Sequence, residues 1–292
     1  MPDGRSFMNT LGGAGTHTLV GMRPWSDRLG FVAYRGHDLD PQHEHFLMQL
    51  GIDLRGVILR AESRTARAWQ LFEPDERRIE IFRTSFDDFV QSKPGFEEIP
   101  ADYLEARGFH LQWGSSADQA YLIKQIRASN PQARFICEPS IIDIDTALEA
   151  NLSVLQQVDL FSPDREEAYK LVGSSDIPSI FERLLSAGAR CIALRMGAAG
   201  SLVGSTQGEF YRVPAVPPAQ LVDTTGAGNA YCGGFIVGLG RGEELAIAAA
   251  RAAASASFAI EQIGVPAFND EKIVEAQRRF EWALERIQVA DI

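Results

Sequence analysis

Short runs rich in β-branched and aromatic residues alternate with helix-length segments through most of the second half of the chain. Examples of the short runs are 109–113 (FHLQW), 135–137 (FIC) and 191–194 (CIAL), and each borders a segment long enough for a helix. This alternation is typical of β–α–β units, in which helices connect parallel strands. The pattern therefore predicts an α/β fold, a doubly wound and mainly parallel sheet that is flanked by helices.

The pattern changes between about residues 51 and 86. Two runs with strand character, 68–72 (AWQLF) and 79–83 (IEIFR), look antiparallel and are joined by a polar segment at 73–77 (EPDER). Such a pair predicts a β-hairpin. We expect these lid elements, at about 51–86, to stand out from the main sheet as a small β lid.

Two further helices are predicted near the end of the chain. The glutamate pair at 243–244 precedes an alanine-rich segment that runs to about Ala259, whose small side chains suit close packing. After a break around Pro266, Asn269 is a suitable N-cap for a last amphipathic helix.

Length and charge narrow the class of protein. The chain has 292 residues, of which 45% are hydrophobic and 23% are charged, and this predicts a single domain over residues 1–292. The net charge is −11, and lysines and arginines do not cluster beyond pairs. Because phosphate backbones bind clustered positive charge, direct binding to nucleic acid is not expected.

The cysteines and the hydropathy of the chain indicate the cellular compartment of the protein. Cys137, Cys191 and Cys232 have no metal-type spacing and lie in apolar surroundings, which is typical of buried thiols in a reducing compartment. No segment approaches the length of a membrane span. We therefore expect a cytoplasmic protein without membrane contact; the sequence does not indicate its oligomeric state.

The most informative segment is 221–231 (LVDTTGAGNAY). Gly226 and Gly228 flank Ala227, so the backbone can turn tightly with its N–H groups directed into one concavity. The residues that follow have the character of a first helical turn. Backbone N–H groups at such a helix N-terminus bind anions.

This segment resembles the second signature of the PfkB family of carbohydrate and nucleoside kinases, which have the ribokinase-like fold. In that signature the run Asp-Thr-Thr-Gly-Ala-Gly-Asp surrounds the phosphoryl group that is transferred. The resemblance implies that Gly226, Ala227 and Gly228 form the oxyanion hole. It also implies that Asn229 occupies the position of the catalytic base. An amide cannot accept a proton near neutral pH, so we expect catalysis to be weakened there.

Two stretches extend the resemblance toward the N-terminus. Residues 11–17 (LGGAGTH) match the motif at which the family's backbone approaches the sugar, with His17 in place of the usual asparagine. Residues 30–38 (GFVAYRGHD) follow at the family's interval. The resemblance implies that Gly12, Gly13 and His17 bind substrate. Residues 11–17 alone are also explained as a plain turn.

Residues 162–173 (SPDREEAYKLVG) resemble the family's Asn-x-x-Glu motif, with Asp164 in place of the asparagine and Glu167 as the glutamate. In the family this pair organises the water shell of Mg²⁺ beside the phosphates, and carboxylate oxygens suit that ion. The resemblance implies the same role for Asp164 and Glu167. The alternative is that Pro163 and Asp164 only start a helix.

Two segments resemble the nucleotide side of the family's site. Residues 193–202 (ALRMGAAGSL) resemble its nucleotide hairpin, which implies that Gly197 and Gly200 lie against the nucleotide. Arg195 stands where a threonine commonly contacts phosphate. The segment that closes around adenine is matched by residues 253–266, which include Gly264, although core packing explains their apolar residues equally well.

Asp223 and Thr225 match positions that in several family members bind a monovalent cation such as K⁺ beside the anion hole. For Thr225 this also implies a place beside the bound nucleotide. The alternative, that both residues cap the turn before the helix, explains them equally well.

Within the family, the chain resembles a divergent fungal branch that includes the maintenance-of-killer PfkB-like protein. The shared features are 13–16 (GAGT), 64–69 (RTARAW), 257–264 (SFAIEQIG) and, above all, Asn229. That branch is associated with stabilising double-stranded RNA virus-like particles, and no phosphoryl transfer is assigned to it.

The resemblance also indicates a missing element. Family members place a β-strand, ending in an acidic residue that holds the sugar hydroxyls, before the first glycine motif. Residues 1–10 instead contain the turn formers Pro2, Asp3 and Gly4. We therefore expect the sheet to lack the family's first strand.

The resemblance as a whole implies ATP-dependent phosphoryl transfer, with Mg²⁺, to a hydroxyl of a sugar or nucleoside, which would be the small-molecule partner. The alternative is a pseudokinase, a nucleotide-binding or scaffold module that keeps the fold without the transfer.

Overall fold

A central sheet of seven strands organises the computed structural model, which describes residues 4–72, 78–85, 93–112, 114–140, 143 and 148–292. Four strands at one end of the sheet run parallel: β5 (Gly108–Leu111), β6 (Arg134–Cys137), β7 (Leu160–Phe161) and β8 (Cys191–Arg195). Three strands continue it antiparallel: β9 (Ser201–Ser205), β10 (Phe210–Val213) and β11 (Gln288–Val289). The strands predicted around 109, 135 and 191 are therefore present, in the predicted parallel arrangement.

A second, two-stranded sheet precedes the central one in the chain. Its strands β1 (Leu29–Gly36) and β2 (Ile52–Arg60) are parallel. The sequence predicted antiparallel strands only at 68–72 and 79–83, and it did not predict the pairing of β1 with β2. This pair is parallel because helix α2 (Pro41–Gln49) connects β1 to β2, and a helical crossover returns the chain in the same direction.

The predicted hairpin is present. Strands β3 (Ala68–Phe72) and β4 (Arg78–Phe82) are antiparallel, with Trp69 opposite Ile81. The polar segment 73–77 between them lies outside the described residues. Arg67, just before β3, bonds Asp38 through its guanidinium at 2.6 Å and so ties the hairpin to the end of β1. Whether the hairpin acts as a lid remains a prediction.

Helices cover both faces of the central sheet. Besides α2, the described residues form α1 (Ala14–Met22), α3 (Ser116–Ser129), α4 (Leu152–Leu155), α5 (Arg165–Val172), α6 (Ile177–Ser186), α7 (Ala227–Arg241), α8 (Leu245–Ala259) and α9 (Asp270–Leu284). The two C-terminal helices start where predicted: Glu244 is the N-cap residue of α8, and the side chain of Asn269 caps α9.

Helix α1 packs closely against α7, although the two are far apart in the sequence. A Cβ at Gly21 would collide with the backbone of Ala230, and one at Gly233 would collide with the carbonyl oxygen of Thr18. Only glycine allows the helix backbones to approach this closely. The contact holds α1 beside the first turn of α7, where the predicted anion loop lies.

Two strand edges line one large cavity. Among the described strands, β1 pairs only with β2, and β5 pairs only with β6. Residues of both β1 and β5 line an open cavity of about 3780 Å³, which also reaches the first turn of α7. That the sheet lacks the family's first strand remains a prediction; the structure shows two strand edges that border the same space.

Candidate active site

The first turn of α7 opens into this cavity at the carboxyl ends of the parallel strands. Gly226 is the N-cap residue with φ of 81°, a left-handed conformation that favours glycine, and the helix begins at Ala227. Gly226, Ala227, Gly228 and Asn229 all line the cavity. The structure thus places the four predicted catalytic-centre residues at a helix N-terminus, where backbone N–H groups favour an anion.

Two basic side chains lie against the glycines of this loop. The imidazole of His17, on α1, occupies the space that a Cβ at Gly226 would need, and the guanidinium of Arg195 does the same at Gly228. His17 was predicted on the substrate side and Arg195 on the nucleotide side. The structure brings both to the anion loop, so any phosphate bound there would have Arg195 beside it.

Asn229 is held by two hydrogen-bond acceptors. Its Nδ2 donates to Oε1 of Gln112 at 2.7 Å and to Oε1 of Glu138 at 2.8 Å. Gln112 follows β5 and Glu138 follows β6, so both come from the carboxyl ends of neighbouring parallel strands. The orientation of the carboxamide is fixed because a carboxylate such as Glu138 accepts only from the nitrogen.

Glu138 is the buried charge at the centre of the site. Its side chain is 4% exposed, and Oε2 lies 2.9 Å from Nη2 of Arg195. Burial alone would raise the pKa of Glu138, but Arg195, His110 and Asn229 outweigh burial and lower it to about 2. The carboxylate is therefore ionised at neutral pH, and Arg195 is its main counter-charge.

His110 extends this network to α1. Its Nε2 lies 3.1 Å from Oε1 of Glu138, and its Nδ1 lies 3.0 Å from Oγ1 of Thr18. Cys232 lies close by, and its thiol, the carboxylate of Glu138 and the imidazole place three ligand-type atoms within 4.8 Å of one another. Burial raises the pKa of Cys232 well above its usual range, so the thiol is neutral. With Arg195 supplying the positive charge, this cluster is satisfied without a metal ion.

Arg195 joins Glu138 to the predicted Mg²⁺ residues. Its Nη2 also lies 3.1 Å from Oε2 of Glu167 and 2.8 Å from the carbonyl oxygen of Ser162. Asp164 is the N-cap residue of α5 and forms a capping box with Glu167: Oδ1 of Asp164 accepts from Glu167 N, and Oε2 of Glu167 accepts from Asp164 N. The alternative role of Asp164, to start a helix, is thus observed.

The carboxyl of Glu167 is the group in the site with an insufficient counter-charge. Burial is the main reason that the pKa of Glu167 is raised to about 7. The nearby carboxylates of Asp164 and Glu138 raise it further, and Arg195 lowers it only in part. A cation beside Glu167 would relieve this excess of negative charge. Its donor atoms are the hard oxygens that Mg²⁺ prefers, so Asp164 and Glu167 fit the predicted shell.

We expect Glu167 to make the stability of the protein depend on pH near neutrality. Because its pKa is raised in the folded state, the folded protein binds this proton more tightly than the unfolded chain. The resulting stabilisation is complete below about pH 4.5 and is lost as pH rises through about 7. Urea unfolding at pH 8 and pH 5.5 should show a gain at the lower pH that Glu167→Gln lacks. Parallel pH dependences in the two proteins would contradict the assignment.

The remaining predicted residues lie around the same cavity. Gly197 starts a 3-10 turn that connects β8 to β9, and Gly200 closes it with φ of 83°. Gly12, Gly13 and Gly264 line the cavity on the side of α1, and Gly264 packs against Thr10. Their contacts with a nucleotide or a substrate remain predictions.

Asp223 caps the turn that leads into α7. Its Oδ1 accepts from the backbone N of Thr225 at 2.8 Å, and Asp223 is buried. The capping role is therefore observed, while the monovalent-cation role of Asp223 and Thr225 remains a prediction.

Sequence reasoning missed Glu138, His110 and Gln112. A signal for them was present: each lies in or directly after a short strand of the parallel part of the sheet, β5 or β6. Polar side chains at the carboxyl ends of adjacent parallel strands converge on one edge of a sheet, which is where α/β proteins bind ligands. What the sequence could not show is that Asn229 meets these residues at hydrogen-bond distance.

Comparison with known proteins shows similarity to a family of kinases. A family model described as pfkB family carbohydrate kinase matches residues 1–272. The chain is similar to the cytidine kinase of Thermococcus kodakarensis, with 27% identity over 252 residues that cover 84% of this chain and 85% of the relative. It is also similar to protein MAK32 of Saccharomyces cerevisiae, with 26% identity over 306 residues, 90% of this chain and 81% of the relative. The second match confirms the resemblance to the fungal branch.

The fold is shared with a solved structure of a putative ribokinase II from E. coli in complex with ATP and Mg²⁺. The TM-score is 0.73 at 19% identity, and the match covers 93% of this chain and 89% of the other. The ribokinase-like α/β fold is thereby confirmed. In the part of the chain that the structure describes, no helix has the length and apolar character that crossing a membrane requires.

Proposed function

Because the chain belongs to the pfkB family of carbohydrate kinases, we propose that it transfers the γ-phosphoryl group of ATP to a hydroxyl of a sugar or nucleoside. The observation that carries this proposal is the first turn of α7, where Gly226 to Gly228 lie beside the guanidinium of Arg195. A helix N-terminus next to a fixed cation stabilises the negative charge on a phosphoryl group in the transition state of its transfer.

The residues around the loop have distinct roles in this proposal. Backbone N–H groups of Gly226 to Gly228 bind the phosphoryl oxygens, and Arg195 neutralises part of their charge. Asp164 and Glu167 would hold the water shell of Mg²⁺, and that ion would offset negative charge on the ATP phosphates. Gly197, Gly200 and Gly264 let the backbone approach the nucleotide, and Thr225 lies beside it.

The acceptor binds on the side of α1 in this proposal. Gly12, Gly13 and His17 border the cavity there, and Asn229 lines the same cavity. The family and the similarity to a cytidine kinase support a sugar or nucleoside as acceptor. We place the reaction in the cytoplasm, and K⁺ beside Asp223 is part of the same proposal.

A second candidate function, a pseudokinase that binds nucleotide as a scaffold, is favoured by Asn229. Its amide takes the position of the family's base and donates both of its described hydrogen bonds to protein side chains. The similarity to MAK32, a protein whose name denotes no reaction, is consistent with this alternative.

Nucleotide binding is expected in both cases. ATP with Mg²⁺ should raise the melting temperature, because a ligand that binds only the folded state adds about 2.7 kcal/mol at a hundredfold excess over its Kd. The measurement is a thermal-shift titration with ATP and ADP, each with and without Mg²⁺. A flat response to millimolar nucleotide would remove the support for both candidate functions.

A test of phosphoryl transfer distinguishes the kinase from the nucleotide-binding scaffold. Incubation with ATP and a panel of sugars and nucleosides, followed by detection of ADP and of the phosphorylated product, should reveal an acceptor if the protein is a kinase. A protein that binds ATP but phosphorylates no member of the panel would favour the scaffold.

A further inference from the structure

A carboxylate lies beside residue 229, the asparagine at the position proposed for the catalytic base. Oε1 of Glu138 lies 2.8 Å from Nδ2 of Asn229. Glu138 lines the same cavity as the anion loop. The negative charge that the sequence lacks at 229 is therefore restored by a neighbouring strand.

Asn229 and Glu138 are complementary as hydrogen-bond donor and acceptor. The asparagine therefore has a specific partner in the site. The two oxygens around Nδ2 of Asn229 belong to Gln112 and Glu138, and both are acceptors. An aspartate at 229 would direct a third acceptor at them, with a second negative charge beside that of Glu138. Two carboxylates at such a distance do not both ionise readily. The asparagine and the glutamate fit as a pair.

Glu138 also connects residue 229 to the arginine beside the anion loop. One carboxylate oxygen contacts Asn229 and His110, and the other contacts Arg195, whose guanidinium reaches Gly228 in the anion loop. A hydroxyl presented to the anion loop beside Asn229 would meet this carboxylate. When a phosphoryl group shares the charge of Arg195, Glu138 loses part of its counter-charge and becomes more basic.

We infer that Glu138 is the proton acceptor of the reaction, in place of residue 229; this rests on the proposed phosphoryl transfer. The O–H bond of the acceptor hydroxyl breaks, and its proton passes to a carboxylate oxygen of Glu138. The hydroxyl oxygen forms a bond to the γ-phosphorus, and the bond from that phosphorus to the β–γ bridging oxygen breaks. ADP leaves with the electron pair, and the proton on Glu138 is later released to water. Asn229 orients the carboxylate through its amide.

The experiment compares the unchanged protein with Glu138→Gln, Asn229→Asp and the double variant Glu138→Gln/Asn229→Asp, which moves the carboxylate to residue 229. For each protein, phosphorylation of the panel of sugars and nucleosides is measured together with the ATP-induced thermal shift. Glu138→Gln should lower turnover by about 10²- to 10⁴-fold, the usual contribution of a positioned base, while its thermal shift with ATP persists. Asn229→Asp alone should not increase turnover, and the double variant should recover activity over Glu138→Gln.

Glu138→Gln leaves Arg195 with one carboxylate fewer and can therefore fold poorly. In that case Glu138→Asp, which keeps the charge but withdraws it by one methylene, and the charge-conserving double variant decide the question by the same two measurements. Turnover that falls with Glu138→Asp and returns with the double variant supports the inference.

Three outcomes would overturn the inference, and they differ in what they say about the proposed function. If folded Glu138→Gln keeps full turnover, Glu138 is not the acceptor, whereas the kinase function stands. If only the variants with aspartate at 229 are active, the unchanged protein has no catalytic base and Glu138 does not replace it. If all four proteins bind ATP and none transfers phosphate, the kinase proposal fails with it and the scaffold remains.

Discussion

Alanine at position 228 should abolish the thermal shift with ATP and destabilise the protein. The added methyl group would take the place of the Arg195 guanidinium, which Glu138, Glu167 and the carbonyl of Ser162 hold against Gly228. If the ion pair with Glu138 breaks, the loss is about 3–5 kcal/mol, because a buried carboxylate is left without its partner. Thermal melting with and without ATP measures both effects.

Gly240→Ala is the matched control for this prediction. Gly240 lies near the other end of α7, where a Cβ would be 3.2 Å from Cβ of Arg107, a contact that a small shift relieves. Since alanine favours helix over glycine by about 1 kcal/mol, this variant should fold and respond to ATP as the unchanged protein does. An equal ATP response in Gly228→Ala would show that the loop does not bind the phosphates.

Removing the guanidinium itself, in Arg195→Met, should have a comparable effect on stability, about 3–5 kcal/mol, and should also eliminate transfer. Glu138 would lose its main counter-charge, so burial would then raise its pKa instead of being outweighed. The loss of stability should therefore be smaller at pH 5 than at pH 8, because a carboxyl group with a raised pKa stabilises the folded state as pH falls. Urea unfolding at the two pH values measures this difference.

Two further variants show whether the charge or the shape of the Arg195 side chain accounts for the loss of stability. Arg195→Lys keeps the positive charge but not the planar fork that spans Glu138 and Glu167, and it should lose less stability than methionine does. Adding Glu138→Gln to Arg195→Met should recover part of the loss, because the uncompensated carboxylate is then gone. No recovery in that double variant would mean that Arg195 stabilises the fold by packing alone.

Periodicity and local chemistry were sufficient for the parts of the fold that are specified locally. The apolar runs at β5, β6 and β8, the hairpin β3–β4 and the Asn269 cap of α9 each follow from neighbouring residues. The parallel pairing of β2 with β1 did not, because it depends on how the chain returns after α2 rather than on the composition of the strand itself.

The candidate site likewise combines features that neighbouring residues specify with contacts between residues that are distant in the sequence. The turn at the start of α7 could be predicted because two glycines around Ala227, followed by a helical turn, fix its local geometry. The partners of Asn229 could not be predicted, since Gln112 is 117 positions away and Glu138 is 91 positions away in the chain. Likewise, Arg195 was expected at the phosphates, yet its attachment to Glu138 is visible only when the strand ends are brought together.

The packing of α1 against α7 has a consequence for how the protein is made. Trp25, just after α1, donates to Ser255 on α8, a partner that lies 230 positions later. A ribosome that adds about 5–20 residues per second needs roughly 10–50 s to reach it. During that interval Leu19 and Val20 can already pack against the early members of their core cluster, among them Leu29 and Leu47, but not against Val265. The close approach of Gly21 to Ala230 and the bond from Trp25 to Ser255 can therefore form only after α7 and α8 have left the ribosome.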